Sequence, residues 1–208
     1  MPLFYQQDIN LTTKLGVWKI EETEEFFLPS VPLQRTITHP HKRLQHLAGR
    51  YLLPFLFADF PYEEIEIADT RKPFLPDEQY HFSISHCGNF AAAIVSSTER
   101  VGIDIEMITP RVQNIKHKFL HVDELTFVHS HETDQQTPLL TLLWSTKEAM
   151  FKWWGNGDVD FSEVLRTEPF AFLDAGIIPA TFLKNDVQIP LDIYYEMRDA
   201  LSLAWVMS

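Results

Sequence analysis

VGIDIEM, residues 101–107, lies near the middle of the chain and alternates apolar with small or acidic side chains. This period of two predicts a β-strand with one face in the core. Ile103 and Ile105 then point into the core, while Asp104 and Glu106 share the opposite face. Two carboxylates held on one face suit a hard cation such as Mg²⁺. An amphipathic strand with its polar side in water has the same pattern, and the spacing alone favours that simpler interpretation.

On either side of this strand the sequence predicts a similar succession of helices and strands. Pro54 is expected to kink or shorten the first long helix, and Gly155 to end the last one. Before residue 101 we expect a strand over 11–20, helices over 21–27 and 40–58, a strand over 65–69, and a hairpin of strands 81–85 and 89–96 that turns through His86, Cys87 and Gly88. After residue 107 we expect helices over 116–130 and 137–155, then short strands near 161–165, 170–173, 181–183, 189–195 and 201–207.

The length of 208 residues is long for one ordinary domain and short for two, because domains typically have ~100–150 residues. The order of elements predicts a mixed α/β (α+β) fold of two similar subdomains, residues 1–100 and 101–208. Each subdomain is expected to combine helices with strands. No residue-level repeat accompanies this order, so the duplication rests on the order of elements alone.

The composition is that of a soluble globular protein, with 45% hydrophobic and 22% charged residues. Its 17 Lys and Arg against 29 Asp and Glu give a net charge of −12, which argues against nucleic-acid and anionic-membrane partners. The single cysteine, Cys87, excludes a disulfide framework within the chain and a multi-cysteine metal site. With no signal-peptide pattern and no membrane-spanning apolar run, we expect a cytoplasmic protein.

A second acidic motif is WSTKEAMFKWWG, residues 144–155. On a helix Glu148 and Lys152 share a face, and a carboxylate beside a lysine suits a site that holds metal and phosphate together. Two structural alternatives compete with this interpretation. Ser145 and Glu148 have the spacing of a capping box, and Glu148 with Lys152 also has that of an ordinary surface ion pair.

Basic residues form the third group of candidates for chemistry. His86 ends a predicted strand in FSISHCGNF, where it and neighbouring amides suit a phosphate, although a locally satisfied turn histidine is the simpler reading. Lys42, Arg43 and Arg50, and the pair Arg71–Lys72, are possible anion contacts or members of a solvated face. The sequence has no GxxxxGK[ST], GxGxxG or GxSxG motif, so the common nucleotide-binding loops and the hydrolase elbow are excluded.

Four strings together resemble the ordered motifs of the 4′-phosphopantetheinyl transferases. RKPFLP, FSISHCGNF, VGIDIEM and WSTKEAMFKWWGNG follow one another over residues 71–157. The length is similar to that of the monomeric Sfp-type branch. The resemblance therefore implies a monomer whose two similar subdomains have a pseudo-twofold arrangement, each with a small antiparallel sheet packed with helices. This fold would explain the repeated order of elements.

The resemblance also implies roles for individual residues. It assigns Mg²⁺, with Mn²⁺ as an alternative, to Asp104, Glu106 and Glu148, and a phosphate contact to Lys152. It assigns coenzyme A contacts to His86, Ser85, Lys72 and, on a looser match, Arg43. It favours Glu148 as the base that accepts the serine proton, with Glu124 as the second candidate. The chain departs from the family pattern at Cys87, Phe90 and Asp158.

The activity implied is transfer of the 4′-phosphopantetheine group of coenzyme A to a serine of an apo acyl or peptidyl carrier protein. The alternatives are a coenzyme A-binding module without turnover and a different Mg²⁺-dependent phosphotransferase. The intact acidic and basic residues argue against the first, and the lack of a P-loop against the second. Because carrier proteins are usually acidic like this chain, we expect an apolar docking patch rather than charge attraction.

Overall fold

The computed structural model of the protein describes residues 3–33 and 36–208. The chain forms two compact units that divide between Val101 and Gly102, and the second unit ends at Ser208. Each unit combines a sheet of antiparallel strands with helices, so the predicted mixed α/β class is confirmed. Within the described residues, no helix is both long enough and apolar enough to cross a membrane.

The first unit is a four-stranded sheet covered by one long helix. In chain order it contains β1 (Leu3–Asp8), β2 (Thr13–Lys19), α1 (Glu24–Phe27), α2 (Pro40–Leu56), β3 (Glu66–Ile67), β4 (Pro73–Phe74), β5 (His81–Cys87) and β6 (Phe90–Ser96). The main sheet has the antiparallel order β1-β2-β6-β5, and β3 pairs with β4 separately. Apolar residues of α2 and of this sheet form one continuous core.

Helix α2 packs closely on the sheet because a glycine faces it. A methyl group at Gly49 would lie 2.6 Å from Cγ2 of Ile84 on β5. Pro40 stands in the first turn of the helix, where its missing N–H leaves no hydrogen bond unmade. Pro54 lies near the other end, and the helix stops two residues later at Leu56, as expected.

The second unit is a five-stranded sheet packed against a helix of 22 residues. In chain order it contains β7 (Val101–Met107), α3 (Val122–His129), α4 (Thr133–Trp154), β8 (Leu165–Thr167), β9 (Ala175–Lys184), β10 (Val187–Arg198) and β11 (Leu201–Met207). The strand order is β7-β11-β10-β9-β8. Residues of α4 and of β8 to β11 form its main core. Gly155 follows α4 with a φ of 73°, which confirms the predicted glycine stop.

The sequence predictions missed one strand of the first unit and misplaced the turn of its hairpin. Strand β1 is absent from the predictions, because its residues are only half-buried and their pattern is weak. His86 and Cys87 still belong to β5, and the hairpin turns at Gly88 and Asn89. Gly88, with a φ of 53°, supplies the left-handed conformation that such a two-residue turn needs.

The strands predicted near 161–165 and 170–173 were also wrong. Residues 161–164 form turns ahead of β8, and residues 170–173 have no regular structure. Phe170 and Phe172 pack against the core while Ala171 and Leu173 are exposed, so this loop buries every second residue as a strand would. The Tyr195 hydroxyl holds this loop, since it accepts a hydrogen bond from the Leu173 N–H at 3.1 Å and donates one to the Ala171 carbonyl at 3.1 Å.

Candidate active site

The backbones of α4 and β7 meet closely at Gly102. A methyl group at this position would lie 2.1 Å from the Ala149 carbonyl oxygen and 2.7 Å from the Trp153 nitrogen. Real side chains do not tolerate such distances, so only glycine permits this approach. The strand that carries Asp104 and Glu106 is thereby held directly against the helix that carries Glu148 and Lys152.

Lys152 makes an ion pair with Asp104 rather than remaining an exposed partner of Glu148. The Nζ of Lys152 lies 2.7 Å from Oδ1 of Asp104. Asp104 is only 3% exposed, so the interpretation of this strand as one with a solvated polar face is wrong at this position. A charged hydrogen bond of this length at a buried carboxylate is stronger than a surface pair, because water screens it less.

Glu106 is oriented by an aromatic side chain of α4. Its Oε1 accepts a hydrogen bond from Nε1 of Trp144 at 3.2 Å. The Trp144 ring in turn packs edge-on against Phe119 and stacks on Phe161, with centroid separations of 5.1 and 5.8 Å. Trp144 therefore packs between aromatic side chains and also fixes the carboxylate of Glu106.

The surroundings of Glu148 clearly shift the pKa of its carboxyl group. Burial and the negative charges of Asp104 and Glu106 raise the pKa of Glu148 to about 7, against the opposing effect of Lys152. Glu148 lies deep within α4, so the capping-box interpretation of Ser145 and Glu148 is wrong. The four charged side chains thus form one electrostatically coupled group.

The donor chemistry of this group fits a hard divalent cation. Asp104, Glu106 and Glu148 offer only oxygen ligands, which Mg²⁺ and Mn²⁺ prefer. A cation would relieve the mutual repulsion that raises the pKa of Glu148. Across residues 3–33 and 36–208, no three His, Cys, Asp or Glu side chains are gathered closely enough to hold a metal ion, so the three carboxylates would have to move together to bind one.

Glu124 lies in a separate buried network with Lys147, a residue that the sequence predictions do not include. Lys147 is 0% exposed, and its Nζ lies 2.6 Å from Oε2 of Glu124. The same ammonium donates to the carbonyls of Phe119 at 2.7 Å and Phe161 at 2.9 Å. Burial outweighs the opposing effect of Glu124, and the pKa of Lys147 is lowered to about 8. The sequence did contain a sign of this buried lysine, because Lys147 lies in a largely apolar helix directly before Glu148.

In the first unit, His86 stands at the exposed end of β5, and the preceding Ser85 is buried. The turn that follows is fixed by α2, because the Gly88 carbonyl lies 2.9 Å from Nε2 of His41 and accepts a hydrogen bond from Nε2 of Gln45 at 2.8 Å. The structure therefore places His86 beside an anchored turn.

Lys72 belongs to a group of basic side chains in the same unit. Burial, with a smaller contribution from the nearby Arg100, lowers the pKa of Lys72 to about 8. Burial also lowers the pKa of His81, with Arg100 and Lys72 contributing in the same direction and Glu78 opposing them. Such mutual effects show that the three cationic groups lie near one another.

Two of the basic candidates have partners of their own. Arg43 donates from Nε to Oε2 of Glu24 at 2.7 Å and from Nη1 to the Ile37 carbonyl at 3.0 Å. Arg50 is buried, and its guanidinium lies 5.9 Å from the centre of the Tyr62 ring, so it does not form part of a solvated face. Both arginines thus help to hold α2 in the first unit.

Comparisons with known proteins agree with these motifs. Residues 100–196 match the family model described as the 4′-phosphopantetheinyl transferase superfamily. Over 92 residues, or 44% of its length, the chain is 39% identical to a 4′-phosphopantetheinyl transferase of Bacillus subtilis, of which 41% is covered. It is 32% identical over 114 residues (53% of the chain) to 4′-phosphopantetheinyl transferase AcpT of Escherichia coli strain K12, of which 57% is covered.

A third relative is enterobactin synthase component D of the same Escherichia coli strain. The chain is 36% identical to it over 117 residues, which cover 53% of the chain and 54% of that protein. The chain thus spans about half the length of the curated relatives that it matches. The matched family segment contains β7 and α4, and with them all four charged residues of the candidate site.

Proposed function

We propose that this chain, whose residues 100–196 match the model of the 4′-phosphopantetheinyl transferase superfamily, transfers 4′-phosphopantetheine from coenzyme A to a serine of an apo carrier protein. The other product would be adenosine 3′,5′-bisphosphate. The observation that carries the proposal is the coupled group of Asp104, Glu106, Glu148 and Lys152, which is built by the family-matched segment.

The chemistry needed is that of phosphoryl transfer, in which positioning and charge neutralisation supply most of the catalysis. Asp104, Glu106 and Glu148 are proposed to hold Mg²⁺, which when bound would neutralise charge on the diphosphate. Lys152 would add positive charge at the transferred phosphate. Its ammonium already lies against Asp104, which keeps it at the acidic face of β7.

A carboxylate must accept the serine proton as the new phosphate ester forms, and Glu148 is the proposed base. The assignment rests on the place of Glu148 within the coupled group and not on its basicity. A bound cation would lower the pKa of Glu148 from the value of about 7 that burial and the neighbouring carboxylates produce. Glu124, the second candidate, already accepts hydrogen bonds at both carboxylate oxygens. These contacts leave little capacity for a substrate proton and favour Glu148.

Coenzyme A contacts are proposed for the basic residues of the first unit. His86 and Ser85 lie at the end of β5 beside the anchored turn, and Lys72 lies near two other cationic groups. Arg43 has the weaker support, since Glu24 and the Ile37 carbonyl already engage its guanidinium. That the protein works as a cytoplasmic monomer stays a prediction.

The deciding experiment is an intact-mass measurement of carrier proteins. The protein is incubated with coenzyme A, Mg²⁺ and a panel of apo fatty-acid, polyketide and nonribosomal-peptide carriers. A mass gain of one phosphopantetheine on a carrier, lost when its acceptor serine is replaced by alanine, supports the proposal. No gain on any carrier, with coenzyme A still bound in a titration, would support a binding module without turnover.

A further inference from the structure

Lys147 is held inside the second unit by three oxygen atoms at once. An ammonium has three N–H donors, and those of Lys147 reach Oε2 of Glu124 and the carbonyls of Phe119 and Phe161 at 2.6 to 2.9 Å. The donors of this 0% exposed group are therefore fully used. A side chain in this state has no capacity to bind a substrate without losing a buried hydrogen bond.

The hydrogen-bonding capacity of Glu124 is also fully used. Its Oε2 accepts from Lys147 and from the His121 N–H at 2.7 Å. Its Oε1 accepts from the Thr167 N–H at 2.8 Å and from the Thr167 hydroxyl at 2.7 Å. A carboxylate has about four acceptor positions, so this 3% exposed group is saturated.

The network joins segments that are distant in sequence to one point of α4. Glu124 and His121 begin α3, and Thr167 ends β8, while Lys147 lies on α4 itself. Glu148 is the next residue along α4, and Lys152 follows little more than one turn later. A short stretch of helix moves as a nearly rigid body. Fixing Lys147 therefore fixes both the rotation of α4 about its axis and its position along that axis, and with them the positions of Glu148 and Lys152.

We infer that the Lys147–Glu124 pair is a positioning device that holds Glu148 and Lys152 against β7, and that Glu124 is a positioning residue rather than the base. The inference rests on the proposed transfer activity, because it concerns the same site. Gly102 sets the distance between α4 and β7. The Lys147–Glu124 pair sets the rotation of α4 about its axis. Neither Lys147 nor Glu124 would touch the substrate.

The test compares Lys147→Met, Glu124→Gln and the double variant, with Asp134→Asn as a control on an exposed part of α4. Each single change leaves one buried partner without its counterpart, whereas the double variant leaves no uncompensated buried charge. Turnover is measured per folded molecule, well below the melting temperature. Hydrogen exchange of residues 144–154 is measured in parallel as a readout that does not need turnover.

We expect each single variant to lower kcat by about 10- to 100-fold, with the KM for coenzyme A nearly unchanged and faster exchange in residues 144–154. The double variant should recover about 10-fold over Lys147→Met, which loss of a catalytic base does not allow. Asp134→Asn should match the wild type. A double variant with normal exchange but the low kcat of Glu124→Gln would overturn the inference, as would unchanged exchange in Lys147→Met.

Two further controls keep these results separable. If the wild type transfers nothing to any carrier, the proposed function fails, but the exchange comparison still decides whether the pair positions α4. If Lys147→Met does not fold, Thr167→Val removes a single donor to Glu124 and is the milder substitute. We expect it to lower kcat about two- to fivefold with faster exchange in residues 144–154, and unchanged exchange there would overturn the inference.

Discussion

Gly102 of β7 lies so close to Ala149 of α4 that a methyl group on the glycine would stand 2.1 Å from the Ala149 carbonyl oxygen. The contact is with helix backbone, which cannot move aside as a flexible side chain can. The two elements that carry the acidic residues therefore depend on one missing side chain for their separation.

Gly102→Ala is expected to destabilise the protein and to lower its proposed activity together. Forcing a methyl group into this contact must push α4 from β7, and overpacking of this kind costs about 1–3 kcal/mol. Denaturant unfolding measures the stability, and phosphopantetheine transfer measures the activity. The matched control is Gly16→Ala, where the added methyl would meet the ends of two flexible side chains, Cδ2 of Leu52 at 3.2 Å and Cδ2 of Leu56 at 3.4 Å, and the nearest backbone atom at 3.8 Å. Equal behaviour of the two variants would contradict the argument.

Asp104→Ala and Glu148→Ala are each expected to abolish detectable transfer while the protein remains folded. Both carboxylates are proposed to bind one Mg²⁺, and Asp104 also holds Lys152 through its 2.7 Å ion pair. Transfer is measured at saturating Mg²⁺, and circular dichroism verifies the fold. Near-normal activity of either purified variant would refute the metal assignment.

Lys152→Met separates the role of the lysine from that of the metal ligands. We expect kcat to fall about 100- to 1,000-fold, because a preorganised charge at the transferred phosphate would be lost. Binding of Mn²⁺, followed by calorimetry, should persist, since the three carboxylates remain and a competing positive charge has gone. Loss of Mn²⁺ binding together with activity would instead make Lys152 a structural support of the carboxylates.

The sequence predicts the residues of the acidic group better than it predicts their pairings. Alternation in VGIDIEM correctly places Asp104 and Glu106 on a strand, and apolar spacing places Glu148 on a helix. The contact between Lys152 and Asp104 depends on how α4 packs on β7. The spacing of residues within a single helix or strand carries no information about that packing. The alternative of a surface pair between Glu148 and Lys152 considered only neighbours on the same helix.

The sequence predictions missed the buried Lys147 and strand β1, for two different reasons. Lysine is almost never fully buried, so a lysine in a helix is first assigned to the surface. Its burial becomes intelligible only once the oxygen atoms of Glu124, Phe119 and Phe161 are seen around it. Strand β1 is defined by its pairing with β2, while its own half-exposed residues have little apolar alternation.

The affinity for coenzyme A is expected to fall as the pH rises through about 8. Burial and Arg100 lower the pKa of Lys72 to about 8, so Lys72 is mostly charged at pH 7 and mostly neutral at pH 9. If only the charged form contacts a phosphate, the dissociation constant should rise by up to ~10-fold over this range. Lys72→Arg stays charged throughout and should flatten the profile. An equally steep profile in that variant would exclude Lys72 as the group responsible.

The Michaelis constant for the carrier is expected to depend only weakly on salt. The chain has a net charge of −12, and an acidic carrier would be repelled rather than steered at long range. Docking must then rely on apolar contacts, which salt does not screen, and added salt should leave the constant unchanged or lower it slightly by screening repulsion. The measurement is a series of transfer assays at rising NaCl, with coenzyme A saturating so that its own binding does not contribute. A steep rise of the carrier constant with salt would show that a local basic surface attracts the carrier, and the apolar patch would then be the wrong description of the docking site.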